Sequence, residues 1–271
     1  TMSYSVTGVQ TCALPISKSA YNLFYTVFDG NMWKRTLISD TIYGNPGPSL
    51  TIDDIGNAHI SYYDGPQNNR DLMYVNNCND TWQYEIVEPG AGKETIYHRS
   101  VLKIRNDIIY LAFIGLGSSL EENKLIVAKQ SESEWEKAVI ADDVEALSMD
   151  VDANGFAHII SHDSSGSYNG TIIYMTDIKG EWTTQIAADD YISPSLFIAI
   201  DLGQKAHILH SGLNNWKSKE GTMYVNNTSG EWLSEEIMPD YPEIISMAID
   251  GDNKIHVAMN AGSYLVHLTR E

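Results

Sequence analysis

The chain has 271 residues, 43% apolar and 10% aromatic, and carries 36 acidic against 17 basic residues for a formal charge of −19. That charge excludes nucleic acid and anionic membranes as partners, since either requires a basic surface to neutralise phosphates. No apolar run reaches the roughly eighteen residues of a membrane helix, and the apolar and aromatic content is that of a folded chain.

In chain order, the first feature is VTGVQTCALPIS, residues 6–17, which is similar to the in-frame translation of a common sequencing-library adapter. Residues 1–17 are therefore set aside as a non-native segment, and a single domain is expected over residues 18–271. The authentic N-terminus and any signal peptide are expected upstream. Cys12 falls in that segment, which leaves Cys78 alone and gives no disulfide framework.

The next stretch, AYNLFYTVFDGNMWKRTLI, reads as two strands around the turn Asp29-Gly30. It is followed by SLTIDDIGNAHISYYD from Ser49 to Asp64, and copies of this sixteen-residue motif return at Ser148, Phe197 and Ser246, with a degenerate copy at Ser100. Two landmarks mark the repeat. One is an Asp followed six residues later by a His: Asp53 and His59, Asp152 and His158, Asp201 and His207, Asp250 and His256, with Tyr110 replacing the His in the degenerate copy. The other is a Tyr followed eight residues later by a Trp: Tyr25 and Trp33, Tyr74 and Trp82, Tyr174 and Trp182, Tyr224 and Trp232. In the degenerate unit Val127 stands before Trp135.

Between landmarks the residues alternate as short half-buried strands broken by turn signals, and no stretch has a helical period with caps. Each unit reads as four strands, in the second unit near residues 49–53, 59–63, 72–76 and 83–87. Repeats of four strands at this period are expected to form an all-β propeller. Four units are complete. The first native stretch supplies only third and fourth strands, and residues 245–271 supply first, second and third. Three further strands from upstream would give six blades, so the array is expected to be truncated at its N-terminal end.

The units resemble the repeats of bacterial secreted β-propellers of the sialidase-type, BNR-like family: PSLxIDxxGxxHISYxD, then LxY, then GxW, carried here by Pro48 to Asp64, Leu72 to Tyr74 and the Trp series. The resemblance spans nearly all of residues 20–271 and implies an extracellular or periplasmic protein. The turn before the fourth strand departs from the family's Asp-box, because DIKGEW at Asp177–Trp182 has no Ser. A sialidase would need an arginine triad, and of five arginines only Arg70 and Arg99 are placed to reach the upper face, where the loops from second to third and from fourth to first strand gather. The resemblance therefore implies the fold and not that activity.

Binding chemistry is expected on that upper face. The repeated His is read as structural, beginning each second strand and bonded to its turn Asp, and the repeated Trp as packing on a neighbouring blade. Residues that break the repeat are the candidates. Tyr97, His98 and Arg99 supply an acid, a base and a carboxylate partner for β-elimination, the chemistry of a polysaccharide lyase. His162, Asp163 and His210 lie at the upper ends of second strands. Trp216 and Lys217, in the polar loop GLNNWKSKEG, suit a stacked sugar. The acidic residues Asp64, Asp163, Asp189, Asp190 and Asp240 are expected on the same rim. No metal and no cofactor are expected: DVDANG at Asp150 to Gly155 begins like a calcium loop but has Ser161 at its twelfth position, and an Asp–His pair is an incomplete shell. The function expected first is a module that binds a glycan or another extracellular ligand without catalysis. A glycan-degrading enzyme and a protein-interaction scaffold are the alternatives.

Overall fold

The structure, a computed structural model, describes residues 14–15, 21–42, 47–66, 69–92, 100–116, 123–132, 134–142, 144–163, 170–178, 180–189, 191–213, 220–238, 245–261 and 264–270. These residues form six antiparallel sheets. In the first, β2 (Tyr21–Phe28) pairs with β3 (Trp33–Ile42), and a two-residue strand, β1 (Leu14–Pro15), pairs with β2 inside the segment that sequence reading had set aside. Four-stranded meanders follow. The second sheet holds β4 (Ser49–Ile52), β5 (Ala58–Asp64), β6 (Arg70–Asn76) and β7 (Gln83–Gly92). The third holds β8 (Ser100–Arg105), β9 (Ile108–Leu116), β10 (Asn123–Gln130) and β11 (Glu136–Asp142). The fourth holds β12 (Val144–Val151), β13 (Ala157–Asp163), β14 (Thr171–Thr176) and β15 (Thr183–Asp189). The fifth holds β16 (Tyr191–Ile200), β17 (Ala206–Leu213), β18 (Glu220–Asn226) and β19 (Leu233–Met238). The last has three described strands, β20 (Ile245–Ile249), β21 (Ile255–Ala261) and β22 (Tyr264–Arg270). The end sheets thus supply the strand positions that the repeat assigns them.

The first strands β4, β8, β12, β16 and β20 pack against one another in that order, and each sheet contacts the next. Strand alternation explains how one motif serves two neighbours. Ile159 enters the core shared by the third and fourth sheets, and Ile160, on the opposite face of β13, enters the core shared by the fourth and fifth. Five such cores result, one between each successive pair of sheets. A second strand packed on both faces reads as an apolar run, and in β5 six of the seven residues are buried.

The turn from first to second strand is built by the repeated Asp. The Asp53 Oδ1 accepts the backbone N–H of Ile55 at 3.1 Å and of Asn57 at 2.7 Å, and Asp152 and Asp250 cap their turns in the same way. The residue that closes the turn has positive φ, 96° at Gly56 and 86° at Gly155. The third sheet lacks this turn because its hairpin is cut to Asn106-Asp107, with φ of 53° and 60° at the two positions, the geometry of a two-residue hairpin with both central residues left-handed. No Asp cap is needed there. Tyr110 takes the place of the His and donates to the Gly155 carbonyl of the next sheet at 2.6 Å.

Candidate functional site

On the lower face, the end that carries these turns, the two landmarks of the repeat prove to be parts of one assembly. His59 Nδ1 lies 2.5 Å from the Tyr74 hydroxyl while its Nε2 faces Asp53 Oδ2 at 3.4 Å. His207 repeats this with Tyr224 and Asp201, at 2.5 and 3.2 Å. His158 has Tyr174 at 2.5 Å and Asp152 at 3.5 Å. In the last sheet His267 replaces the Tyr and lies 3.1 Å from His256. Three of the repeat tyrosines then support the Trp that opens the fourth strand of the following sheet: Tyr25 with Trp82, Tyr74 with Trp135 and Tyr174 with Trp232, at centroid distances of 5.0, 5.4 and 5.0 Å. An Asp fixes the turn, the His joins turn to third strand, and the Tyr carries the tie to the next sheet.

The imidazoles of His59, His158 and His207 are buried, and burial pushes their pKa values below the ordinary one although a carboxylate faces each. Burial also works against the Asp53 carboxylate. The hydrogen bonds from Asn57 and His59 together outweigh it, so its pKa falls. These are neutral, packed histidines, repeated at one position in three sheets, which is the behaviour of a scaffold part.

At the opposite end, His162 and His210 are brought to one interface. His162 shares a face of β13 with Ile160, and His210 shares a face of β17 with Ile208, and both isoleucines belong to the core between the fourth and fifth sheets. His210 is fully buried at the position that Tyr62, Phe113, Ser161 and Met259 occupy in other second strands. His162 is half-buried and lies against Gly170, where a Cβ would come within 1.9 Å of its Nε2. The backbone is described at Asp163. Tyr97, His98, Arg99, Asp190, Trp216, Lys217 and Asp240 lie outside the described residues.

Two of the rim carboxylates are engaged by the scaffold. Asp64 accepts the Ser39 hydroxyl at 2.9 Å and the Thr41 hydroxyl at 2.7 Å, tying the first sheet to the second. Asp189 accepts the Thr171 hydroxyl at 3.2 Å.

Arg70 differs from these two carboxylates. It opens β6 on the face that also carries Leu72 and Tyr74, which pack against the third sheet, and it is 7% exposed. Among the described residues no hydrogen bond or ion pair reaches its guanidinium, and Nε is sealed from solvent. The adjacent carboxylate of Asp71 accepts the Gly90 N–H at 2.7 Å instead. Burial alone pulls the Arg70 pKa down. Arg70 pairs across the sheet with Gly92, the residue from which the segment holding Tyr97, His98 and Arg99 departs.

A cavity lies elsewhere, between the fifth and last sheets. It has a volume of about 360 Å³ and is lined by Tyr224, Ile237, Ile255, Val257, Leu268, Thr269 and Arg270. Tyr224 here meets the Arg270 guanidinium, 5.0 Å above its ring, where equivalent tyrosines meet a Trp.

No protein-family model and no curated protein matches the sequence. Solved structures match by shape. A Penicillium chrysogenum α-L-arabinanase complexed with arabinobiose superposes with a TM-score of 0.59 at 10% identity, over 93% of this chain and 85% of that one. An Aleuria aurantia lectin in complex with Fucα1-6GlcNAc gives 0.56 at 13%, over 92% and 87%. An ulvan polysaccharide lyase bound to a GlcA(1-4)Rha3S unit gives 0.56 at 13%, over 93% and 80%. The chain has the β-propeller fold. At these identities the likeness is one of fold, and function has to be argued from the site.

Proposed function

We propose that the chain is a glycan-binding propeller module that takes its ligand on the upper face without catalysis, and that Arg70 receives the carboxylate of an acidic sugar. The observation that carries this reading is the buried guanidinium, which meets no partner among the described residues. A charge held away from water is costly unless it is paired, so an arginine that meets no carboxylate among the described residues suits one brought by a ligand, bidentately. In support, propellers of this shape include sugar-bound proteins, among them a lyase whose ligand contains a uronate. The charge of −19 opposes a dense polyanion, which favours an acidic sugar isolated among neutral ones.

The reading also assigns ligand contacts to His162, Asp163, His210, Trp216 and Lys217. BNR-like repeats and an extracellular or periplasmic setting belong to the same proposal. Tyr97, His98 and Arg99 would turn binding into β-elimination.

The test is a glycan array followed by calorimetry with the chain and its Arg70→Met variant. Acidic glycans are expected to bind, and the variant to lose about 10- to 100-fold in affinity, the worth of a charge-assisted pair. Removal of a buried charge that pairs with no described residue should leave the fold as stable or more stable by about 1–3 kcal/mol. Unchanged acidic-glycan affinity in Arg70→Met would sink the proposal. A rise in ultraviolet absorbance from unsaturated ends on uronate polymers would replace binding by lyase activity.

A further inference from the structure

One of the four Asp–His pairs has a third donor. Cys78, exposed at the turn after β6, places its Sγ 3.7 Å from His59 Nε2, and Asp53 Oδ2 lies 3.4 Å from the same nitrogen. One ligand atom from each of the three residues falls within 4.8 Å of the others. We propose that Asp53, His59 and Cys78 form a binding site for a thiophilic divalent cation, Zn²⁺ foremost, with water as the fourth ligand.

The distances carry the argument. Both contacts are long for hydrogen bonds. Zinc bonds of about 2.0–2.1 Å to nitrogen and oxygen and about 2.3 Å to sulfur, set at tetrahedral angles, separate N from O by about 3.4 Å and N from S by about 3.6 Å. The two separations from Nε2, 3.4 and 3.7 Å, match.

The surroundings are those of an oriented ligand set. His59 is 4% exposed, and its Nδ1 meets the Tyr74 hydroxyl at 2.5 Å; with the ion bound the imidazole takes the tautomer protonated on Nδ1, which donates to that oxygen, so Nε2 gives up its hydrogen bond to Asp53 and presents its lone pair to the ion. The Asp53 carboxylate is held by the backbone N–H of Ile55 and Asn57 on Oδ1 and by the Asn57 side-chain amide on Oδ2 at 2.8 Å. Two of three ligands are thus fixed before the ion arrives, and the exposed thiol completes the set from the solvent side. Binding releases the Cys78 thiol proton to water.

Other sheets are built-in controls. The register of the turn is fixed by a bond from the first residue of the second strand to an amide or carboxylate one residue before the Cys78 position: Ala58 to Asn77, Ala157 to Asp177, Ala206 to Asn227. Ile178 and Thr228 therefore stand where Cys78 stands, and neither supplies a thiolate. The pair alone is the scaffold part, and the cysteine converts one copy into a site.

Calorimetric titration of the chelator-treated full chain with Zn²⁺, in a Cys12→Ser background that leaves one thiol, should give one equivalent bound. Cys78→Ser, a change at an exposed residue, should weaken binding about tenfold or more. With Co²⁺ as probe, a thiolate charge-transfer band should appear and be absent from Cys78→Ser. Adding Thr228→Cys should raise the stoichiometry to two by completing the Asp201–His207 pair. Zinc binding that survives Cys78→Ser unchanged, or a cobalt complex without the thiolate band, would overturn the assignment.

Discussion

A buried imidazole that hydrogen-bonds a tyrosine and faces a carboxylate makes folding sensitive to acid. His158 is 1% exposed, with Asp152 facing its Nε2 and Asp150 and Asp177 near by, and burial still holds its pKa below the ordinary value. His207, facing Asp201, is shifted the same way by burial, with Arg270 adding to the shift. In the unfolded chain both take up protons as the pH drops through about 6.5. The folded imidazoles resist until lower pH, so in that window the unfolded state binds more protons and stability falls as pH falls. Above about pH 6.5 the contribution is fully present. Each histidine can add a slope of up to about 1.4 kcal/mol per pH unit. Urea unfolding followed at pH 7.5, 6.5 and 5.5 should show stability dropping across the lower interval, and His158→Gln should flatten that drop while lowering stability at pH 7.5. Equal stability at all three pH values would show that these imidazoles are not held neutral.

At the scale of elements, the tie between sheets is the Tyr–Trp contact. Trp232 meets Tyr174 edge-on, with planes 62° apart, and its Nε1–H donates to Gln185 of the sheet it covers at 3.0 Å. Trp232→Ala removes both the ring contact and that bond, and should cost about 2–4 kcal/mol in chemical denaturation. A loss under about 0.5 kcal/mol would mean that the ring only decorates the surface.

The parts of this tie were legible in the sequence because they recur: Asp and His six residues apart, Tyr and Trp eight apart, in unit after unit. Their union was not, since it depends on strand register, which sets Ser61 opposite Tyr74 and so brings the Tyr74 ring under His59. The same holds for the degenerate copy. Asn106-Asp107 shortens a hairpin, and once the Asp cap is gone the His has nothing to bond. Arg70 could be placed at the upper end from its repeat position, but that no described residue pairs with it is a fact about which neighbours turn elsewhere. The nearness of Cys78 to His59 was not legible because the two lie 19 residues apart in the chain and meet only across a strand pair. Its position immediately after the amide that binds Ala58 was the available signal.

For the whole molecule the arrangement of cores sets where the array is weakest. The second to fifth sheets each share two cores with neighbours, whereas the first and last share one each among the described residues. In an array of repeats, stability is close to a sum of unit terms and nearest-neighbour interface terms, so a unit with one interface opens at lower free energy. The two ends are not equal. The core between the first and second sheets contains eight buried residues, and that between the fifth and last contains five beside the cavity of about 360 Å³. The last sheet also shows its lone interface in side-chain detail: Leu265 is 83% exposed, and the His256–His267 contact that replaces the His–Tyr bond sits near solvent. Hydrogen exchange followed by mass spectrometry should therefore find β21 and β22 exchanging fastest among the sheet strands, β2 and β3 next, and β9, β13 and β17 slowest, with the extremes separated by at least about tenfold in protection. Uniform protection across all six sheets would mean that the array unfolds as one cooperative unit, and that the inequality of its interfaces does not govern where it opens.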